Sequence, residues 1–561
     1  MKFATGSTQQ DLLSVCKIFA RYVEMKKGLR AKYLSVLVLG LIPAAAGAQT
    51  PDLILRNGHI FTGTSAHLWV QAVSISGDRI VTVGTDAEVM SGADIHTQVV
   101  DLHGAMAMPG INDCHDHIGG AQFAVEAHTK RPAQADPSIA EVAEAIHSAA
   151  VGAKSGEWVE AEVGPALIRH PEKARIAMDK AAAGHPVFLA AWWGHGILLN
   201  TQGLAKVGID DSVRDIAGGH YDRDALGHLT GLLEENTGNA IRRRLYSQMG
   251  VGPAIAPFRE YAQGRLEQGV TSVQVMATSQ KLSDLQKVFV ESQTPLRLRI
   301  MRFPMPAEDA IDKEPASTGE QVLTPLVRVA GVKWVLDGTP IEELAYQTKD
   351  YADRPGWRGR PNFNKQFIEM QLRSALNGRD QLILHVVGDA MTDQVLDQME
   401  NLASPKVWRP LRVRFEHGDG LTTPGRMERA KKLGIVIGQP RPGRPFRALV
   451  AAGIPLAYGS DVGMAPFFMF ARMTDTHDLN SISREQALTV LTSGSAFAEF
   501  KEQEKGTLAA GMLADIAVLS QDAMTTPTDL LPGTKSVLTI VAGKVAYRSN
   551  GAGVLAVSWS R

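Results

Sequence analysis

The chain has 561 residues, of which 44% are hydrophobic and 21% charged, enough apolar material for a large packed core. Its 58 basic and 59 acidic residues leave a formal charge of −1, so no broad field gathers nucleic acid or anionic lipid at the surface. Two cysteines, Cys16 and Cys114, exclude a disulfide-stapled scaffold and a four-thiolate zinc site; a bound metal must be held mainly by histidine and carboxylate.

Residues 1–48 read as an amino-terminal extension and export signal. From Met25 the pattern is basic (Lys26, Lys27, Arg30, Lys32), then apolar over 33–42, then the small-residue run Ala46, Gly47, Ala48. Cleavage after Ala48 and a start at Met25 are the expectations, placing the mature protein in the periplasm or outside the cell. A membrane anchor fits less well, because the run falls short of the roughly 20 residues a span needs and Pro43 interrupts it. Next come strand-like runs at 52–61, 70–84 and 98–110, with turns at Asn57-Gly58 and Gly77-Asp78. The carboxyl end repeats this texture at 514–520, 536–549 and 553–559. Neither tail buries a face alone, so segments 49–104 and 501–561 are expected to form one small composite β-sandwich domain.

Between them, residues 105–500 alternate apolar strand-like runs with helix-like segments, the pattern of a (β/α)8 barrel in the α/β class. The eight runs lie at 105–111, 271–276, 296–301, 331–336, 381–387, 412–416, 434–438 and 454–459. The stretch of about 120–265 is too long for one connection and carries its own strand-like runs at 158–163 and 186–193. It is expected to be an insertion over the barrel mouth.

His115 and His117 sit two residues apart at the end of a predicted strand, so both imidazoles project from one face while Cys114 and Asp116 face away. Such a pair can chelate one borderline metal, although a chain with 16 histidines produces H-x-H by chance. Three further residues end other predicted strands: His385, His417 and Asp461. In a parallel barrel the carboxyl ends of the strands share one face, so these distant residues would converge. Lys333 lies inside the apolar GVKWVLDG run. It either turns outward or pairs with Asp337, or else stays buried, shifts toward the neutral amine and becomes carbamylated by carbon dioxide.

The tract 55–545 resembles the amidohydrolase superfamily, more narrowly its type 3 group of YtcJ-like and N-substituted formamide deformylase-like proteins. The motifs that carry the resemblance are MPGINDCHDH, GVKWVLDG, HVVGDAM, RFEHGD, the GSD ending at Asp461, and GTLAAGMLADIAVL at 506–519. It implies one or two divalent ions, zinc being the expected metal, held by His115, His117, Lys333 as a carbamate bridge, His385, His417 and Asp461, with Asp461 also the catalytic base. The chain departs from the family pattern at Asn112 and Cys114, and EHGD replaces the commoner EHAQ. The implied activity is hydrolysis of a non-peptide C–N bond in a small molecule. Lactone or ester cleavage and deamination are open to the same machinery, and a non-catalytic metal-containing binding protein is the reading of another class.

Substrate-facing candidates come from the insertion and the strand ends. WWGHGILLN offers Trp193, His195 and Asn200, the histidine following a strand between two glycines; paired tryptophans are also common in cores. Glu234 precedes a helix and is either a site residue or a solvated one, and Gln439 follows the seventh run. The partner is a small molecule, with no nucleic acid and no membrane span once the signal is removed; association into a homo-oligomer stays open.

Overall fold

Eight short apolar runs, none able to bury its faces alone, assemble into one parallel sheet that curls into a barrel. The computed structural model describes residues 50–305, 318–461, 463–550 and, for the backbone alone, 557–559. The expected export signal lies outside these residues. The staves are β1 (Ile111–Asp116), β2 (Val270–Met276), β3 (Arg297–Arg302), β4 (Val327–Val335), β5 (Leu382–Val386), β6 (Arg414–His417), β7 (Val436–Gly438) and β8 (Leu456–Ala457). Each is hydrogen-bonded to the next in parallel register. The ring is all but closed between its ends: Cys114 N–H donates to Tyr458 O at 2.7 Å, Asp461 N–H donates to His115 O at 2.8 Å, and Asp116 bridges to Asp461. Helices between the staves bury one stripe each. Lys365–Leu376, for example, starts where Asn364 accepts from Phe367 N–H, and it buries Ile368, Leu372 and Ala375 at helical spacing.

The first expected run, 105–111, does not stay whole. Met106–Pro109 joins the terminal sheets, and the barrel stave begins only at Ile111. Gly110 makes the break: a Cβ there would lie 2.1 Å from Thr271 Oγ1, so only glycine lets the chain pass this close to β2.

The two tails pair as their strand texture suggests. One six-stranded sheet interleaves Ser536–Val541 and Ile516–Leu519 with Met106–Pro109 and His59–Phe61; a five-stranded sheet holds Gln98–Asp101, Leu53–Arg56 and Ala72–Ser76. Leu55, Val73, Val100, Val518 and Ile540 share one core between them.

The insertion builds a six-stranded sheet in the order Gly219–Arg223, Leu229–Glu235, Ile197–Leu199, Val187–Ala191, Trp158–Val163, Ala124–Glu126. Along Trp158–Val163 the period of two is plain. Val159, Ala161 and Val163 pack into a core with the helices Ile139–Gly152 and Pro171–Ala181, which leaves Glu160 and Glu162 on the opposite face.

Polar side chains fill much of the barrel interior. Glu499 is 2% exposed and accepts from Asn112 Nδ2 of β1 at 2.7 Å, while Lys505 Nζ lies 2.7 Å from the same carboxylate and Arg328 of β4 bonds its other oxygen. Gln274 of β2 donates to Asn112 at 3.5 Å and accepts from Arg414 of β6 at 2.6 Å. The polar Asn112 therefore serves the barrel's internal framework. Burial opposes ionisation of Glu499, but Lys505, Arg328 and Arg299 hold its carboxyl well below the usual glutamate range. A depressed folded-state value means this carboxylate stabilises the fold fully above the ordinary value and loses that contribution as pH falls below it. Glu499→Gln should therefore cost about 3–5 kcal/mol by leaving buried cations uncompensated. Thermal melts at neutral pH should show the deficit, and it should shrink as both proteins are taken below about pH 4.5.

Candidate metal centre and active-site cavity

The carboxyl ends of the staves open into a cavity of about 790 Å³, and all six expected ligand residues line it: His115 and His117 from β1, Lys333 from β4, His385 from β5, His417 from β6, and Asp461 just beyond β8. His115 Nε2 lies 3.2 Å from His117 Nε2 and 3.5 Å from Asp461 Oδ1; His117 Nε2 is 3.4 Å from the same oxygen. The rings of His385 and His417 are 4.6 Å apart, and those of His115 and His417 are 5.5 Å apart. Donor atoms of His115, His417 and Asp461 all fall within 4.8 Å of one another.

These donors fit a divalent cation. Among the described residues Lys333 Nζ, His385 Nε2 and His417 Nδ1 are buried without a hydrogen-bond partner, a costly state that a bound cation relieves. Burial and the charge of His115 push His117 down to about 3, and burial keeps His385 and His417 well below the usual histidine range, so their imidazoles present lone pairs. Lys333, 1% exposed, is pushed down to about 8 by burial, against the pull of Glu416 and Asp461. It makes no pair with Asp337, whose carboxylate accepts the backbone N–H groups of Tyr346, Val387 and Gly388. Burial opposes ionisation of Asp461 as well, yet His115, His117 and His195 keep its carboxyl below the ordinary aspartate value.

Backbone geometry at the strand ends helps to aim these groups. His417, Gln439 and Asp461 have φ of 68°, 52° and 55°, in the left-handed region that non-glycine residues rarely occupy. At β6 the turn brings His417 into the cavity directly after Glu416, whose side chain already points inward. Glu416 is fully buried; it accepts from Arg414 Nε at 2.9 Å and bonds His115 Nδ1. With Nδ1 bound to a carboxylate, His115 turns Nε2 to the cavity. On the second histidine, Thr278 Oγ1 lies 2.9 Å from His117 Nδ1 and does the same service.

The other sequence candidates divide. His195 lines the cavity, its ring 4.6 Å from that of His385, and its Nδ1 lies 2.9 Å from Glu235 Oε1. Burial works against its cation, but Glu235, with Glu342 and Asp461 beyond, pushes it up to about 9. Trp193 also lines the cavity and donates its indole N–H to Glu342 at 2.7 Å. Asn200 does not reach it. It caps the helix Thr201–Lys206, accepting from Gly203 N–H and Val187 N–H at 2.8 Å each. Glu234 pairs with Arg360 at 2.6 Å and lines a separate cavity of about 660 Å³, while its neighbour Glu235, at φ 56°, turns to His195. Gln439 is buried beside Gly459 and His115, outside the lining of the larger cavity. Glu416, Glu235, Thr278 and Glu342 escaped the sequence reading; Glu416 was the most accessible of them, since it directly precedes a ligand candidate in RFEHGD.

The amidohydrolase family model matches residues 98–547. The chain is 26% identical to protein LONG AFTER FAR-RED 3 of Arabidopsis thaliana over 525 residues, covering 84% of this chain and 88% of that one. It is 24% identical to an N-substituted formamide deformylase of Arthrobacter pascens, covering 90% and 99%. Among solved structures, an uncharacterized metal-dependent hydrolase from Pyrococcus horikoshii OT3 has the same fold at a TM-score of 0.62, with 19% identity over 85% of this chain and 99% of that one.

The Glu416–His115 contact makes a direct prediction. Glu416→Gln keeps the shape but removes the charge that orients and strengthens His115, so affinity for a divalent cation should fall about 10–100-fold in chelator competition.

Proposed function

Since the chain belongs to the amidohydrolase family, we propose that it hydrolyses a non-peptide C–N bond of a small molecule, with attacking water delivered at the metal centre. The observation that carries the proposal is the convergence of His115, His117, Lys333, His385, His417 and Asp461 on one cavity, with three buried donor atoms left unpartnered. The nitrogen-rich donor set suits zinc. A divalent ion held by these residues would lower the pKa of a bound water and polarise a carbonyl.

Asp461, kept ionised by the surrounding histidines, accepts the proton of the attacking water and passes it to the leaving nitrogen, so that the C–N bond breaks to give a carboxylic acid and an amine. His195, cationic at neutral pH beside Glu235, donates toward the carbonyl oxygen as negative charge builds there. Trp193 and the insertion sheet shield this exchange from bulk water. Lys333 supports a further step: its amine, pushed down to about 8 and without a hydrogen-bond partner among the described residues, adds to carbon dioxide and releases a proton, giving a carbamate whose oxygens would share in holding a cation. The relative from Arthrobacter pascens, an N-substituted formamide deformylase, supports an amide of this small type as the substrate. Export follows from the basic, apolar and small-residue pattern over 26–48.

The test is a panel of N-formyl and N-acyl amines offered to protein stripped by chelation and reloaded with zinc. Activity should vanish on stripping and return on reloading, and Asp461→Asn should lower kcat by about 10²–10⁴-fold with bound metal retained. His195→Gln should lower kcat by about 10²–10³-fold with little change in KM. Full turnover by Asp461→Asn refutes the assignment.

A further inference from the structure

The cavity has an acidic wall that the proposed hydrolysis leaves unused. Glu126 and Glu160 lie directly opposite each other in the insertion sheet, and Glu162 follows two residues on, so all three carboxylates share the face that lines the cavity. Like charges placed opposite one another in a sheet destabilise it. Burial, then the charges of Glu126 and Glu162, raise Glu160 to about 7, and Glu162 is raised by burial and Glu126. Among the described residues the side chains of Glu160 and Glu162 make no hydrogen bond and no ion pair within 4.0 Å, and the Glu126 carboxylate meets only His128, at 3.7 Å. Among the described residues lining the cavity the one guanidinium is that of Arg242, which directs its donors to the carbonyls of Gly194 and Gly196 at 3.3 Å. Its charge acts on Glu160 and Glu162 from a distance, so three carboxylates share the partial compensation of one cation whose hydrogen bonds go elsewhere.

A second observation marks the same space as a ligand site. Lys333, His385 and His417, all at least nine-tenths buried, aim into this cavity polar atoms that have no hydrogen-bond partner among the described residues, and its volume exceeds what a cation alone needs. We propose that the substrate carries an alkylammonium or guanidinium group, which seats against Glu126, Glu160 and Glu162 while its amide lies at the metal centre. The inference rests on the hydrolase reading above and names the substrate class within it: an N-acylated compound with a second, basic nitrogen. A neutral chain at this wall leaves the carboxylates with the charge of Arg242 alone, whereas a cation adds a second positive charge beside the half-buried Glu160, where the attraction is stronger than in open water.

The experiment compares two amides of equal chain length, a mono-N-acetylated α,ω-diamine and the corresponding N-alkylacetamide, on the zinc-loaded enzyme. Calorimetry with the free diamine reads binding without turnover. The wild type should favour the ammonium substrate about tenfold or more in kcat/KM, and Glu160→Gln and Glu162→Gln should each bring that ratio toward one and weaken diamine binding. On the wild type alone, diamine affinity should fall as salt rises, a readout that needs no variant to fold. Equal kcat/KM for the two amides, or a preference that survives both replacements, overturns the inference while leaving the hydrolase reading intact. Salt-sensitive, Glu160-dependent diamine binding with no turnover of either amide supports the cation site and counts against the hydrolase reading instead.

Discussion

Glu416 is the contact on which the site depends. One buried carboxylate joins Arg414 of the same stave to His115 of the first, and so fixes which nitrogen of His115 faces the cavity. Its ionisation is secured by Arg414 and His115 against the cost of burial, which holds it far below the usual glutamate range. From Arg414 the chain of hydrogen bonds continues through Gln274 to Asn112 and Glu499. The geometry of the mouth is thus tied to a polar framework across the barrel, where many barrels carry branched apolar layers instead. Close packing reinforces it: a Cβ at Gly438 would lie 2.7 Å from Glu416 oxygen, so the seventh stave leaves room for this carboxylate and nothing larger beside it.

Much of the architecture was legible because the barrel staves and the insertion strand at 158–163 follow simple periodicity. The histidine and aspartate candidates were legible because they stand at or just past the end of a stave, and a parallel barrel brings such ends together; Lys333, inside β4, stood out only through the resemblance. Residue-level error arose where local chemistry overrode the pattern. Asn200 looked like a site residue from its place after WWGHG, but an asparagine just before a helix caps it. Glu234 and Glu235 could not be told apart from sequence, since only the backbone turn at Glu235 decides which carboxylate meets His195. Glu416 was hidden because strict alternation puts neighbours in a strand on opposite faces, and the left-handed turn at His417 breaks that rule.

Some of the positive-φ positions lie at the site. His417, Gln439, Asp461 and Glu235 adopt positive φ without being glycine, and each stands at or next to the cavity wall. Neighbouring strands over-determine these conformations, so local strain is tolerated in return for aim. The insertion adds a different element. Its apolar face satisfies its own helices, and the face left over supplies His195, Trp193 and the acidic wall. Barrel and insertion accordingly divide the labour, with the staves presenting the reaction centre and the added sheet shaping what may approach it.

The seam between β1 and β8 carries a consequence for biogenesis. Asp461 is pinned by its own backbone to His115, so the cup is incomplete until the last stave has been made and docked against the first. The imidazoles of the first stave stand far upstream of their acidic partner, so closing the ring needs a contact of long sequence separation, a kind that forms slowly. The candidate metal centre is therefore incomplete in any fragment that lacks the last stave and Asp461.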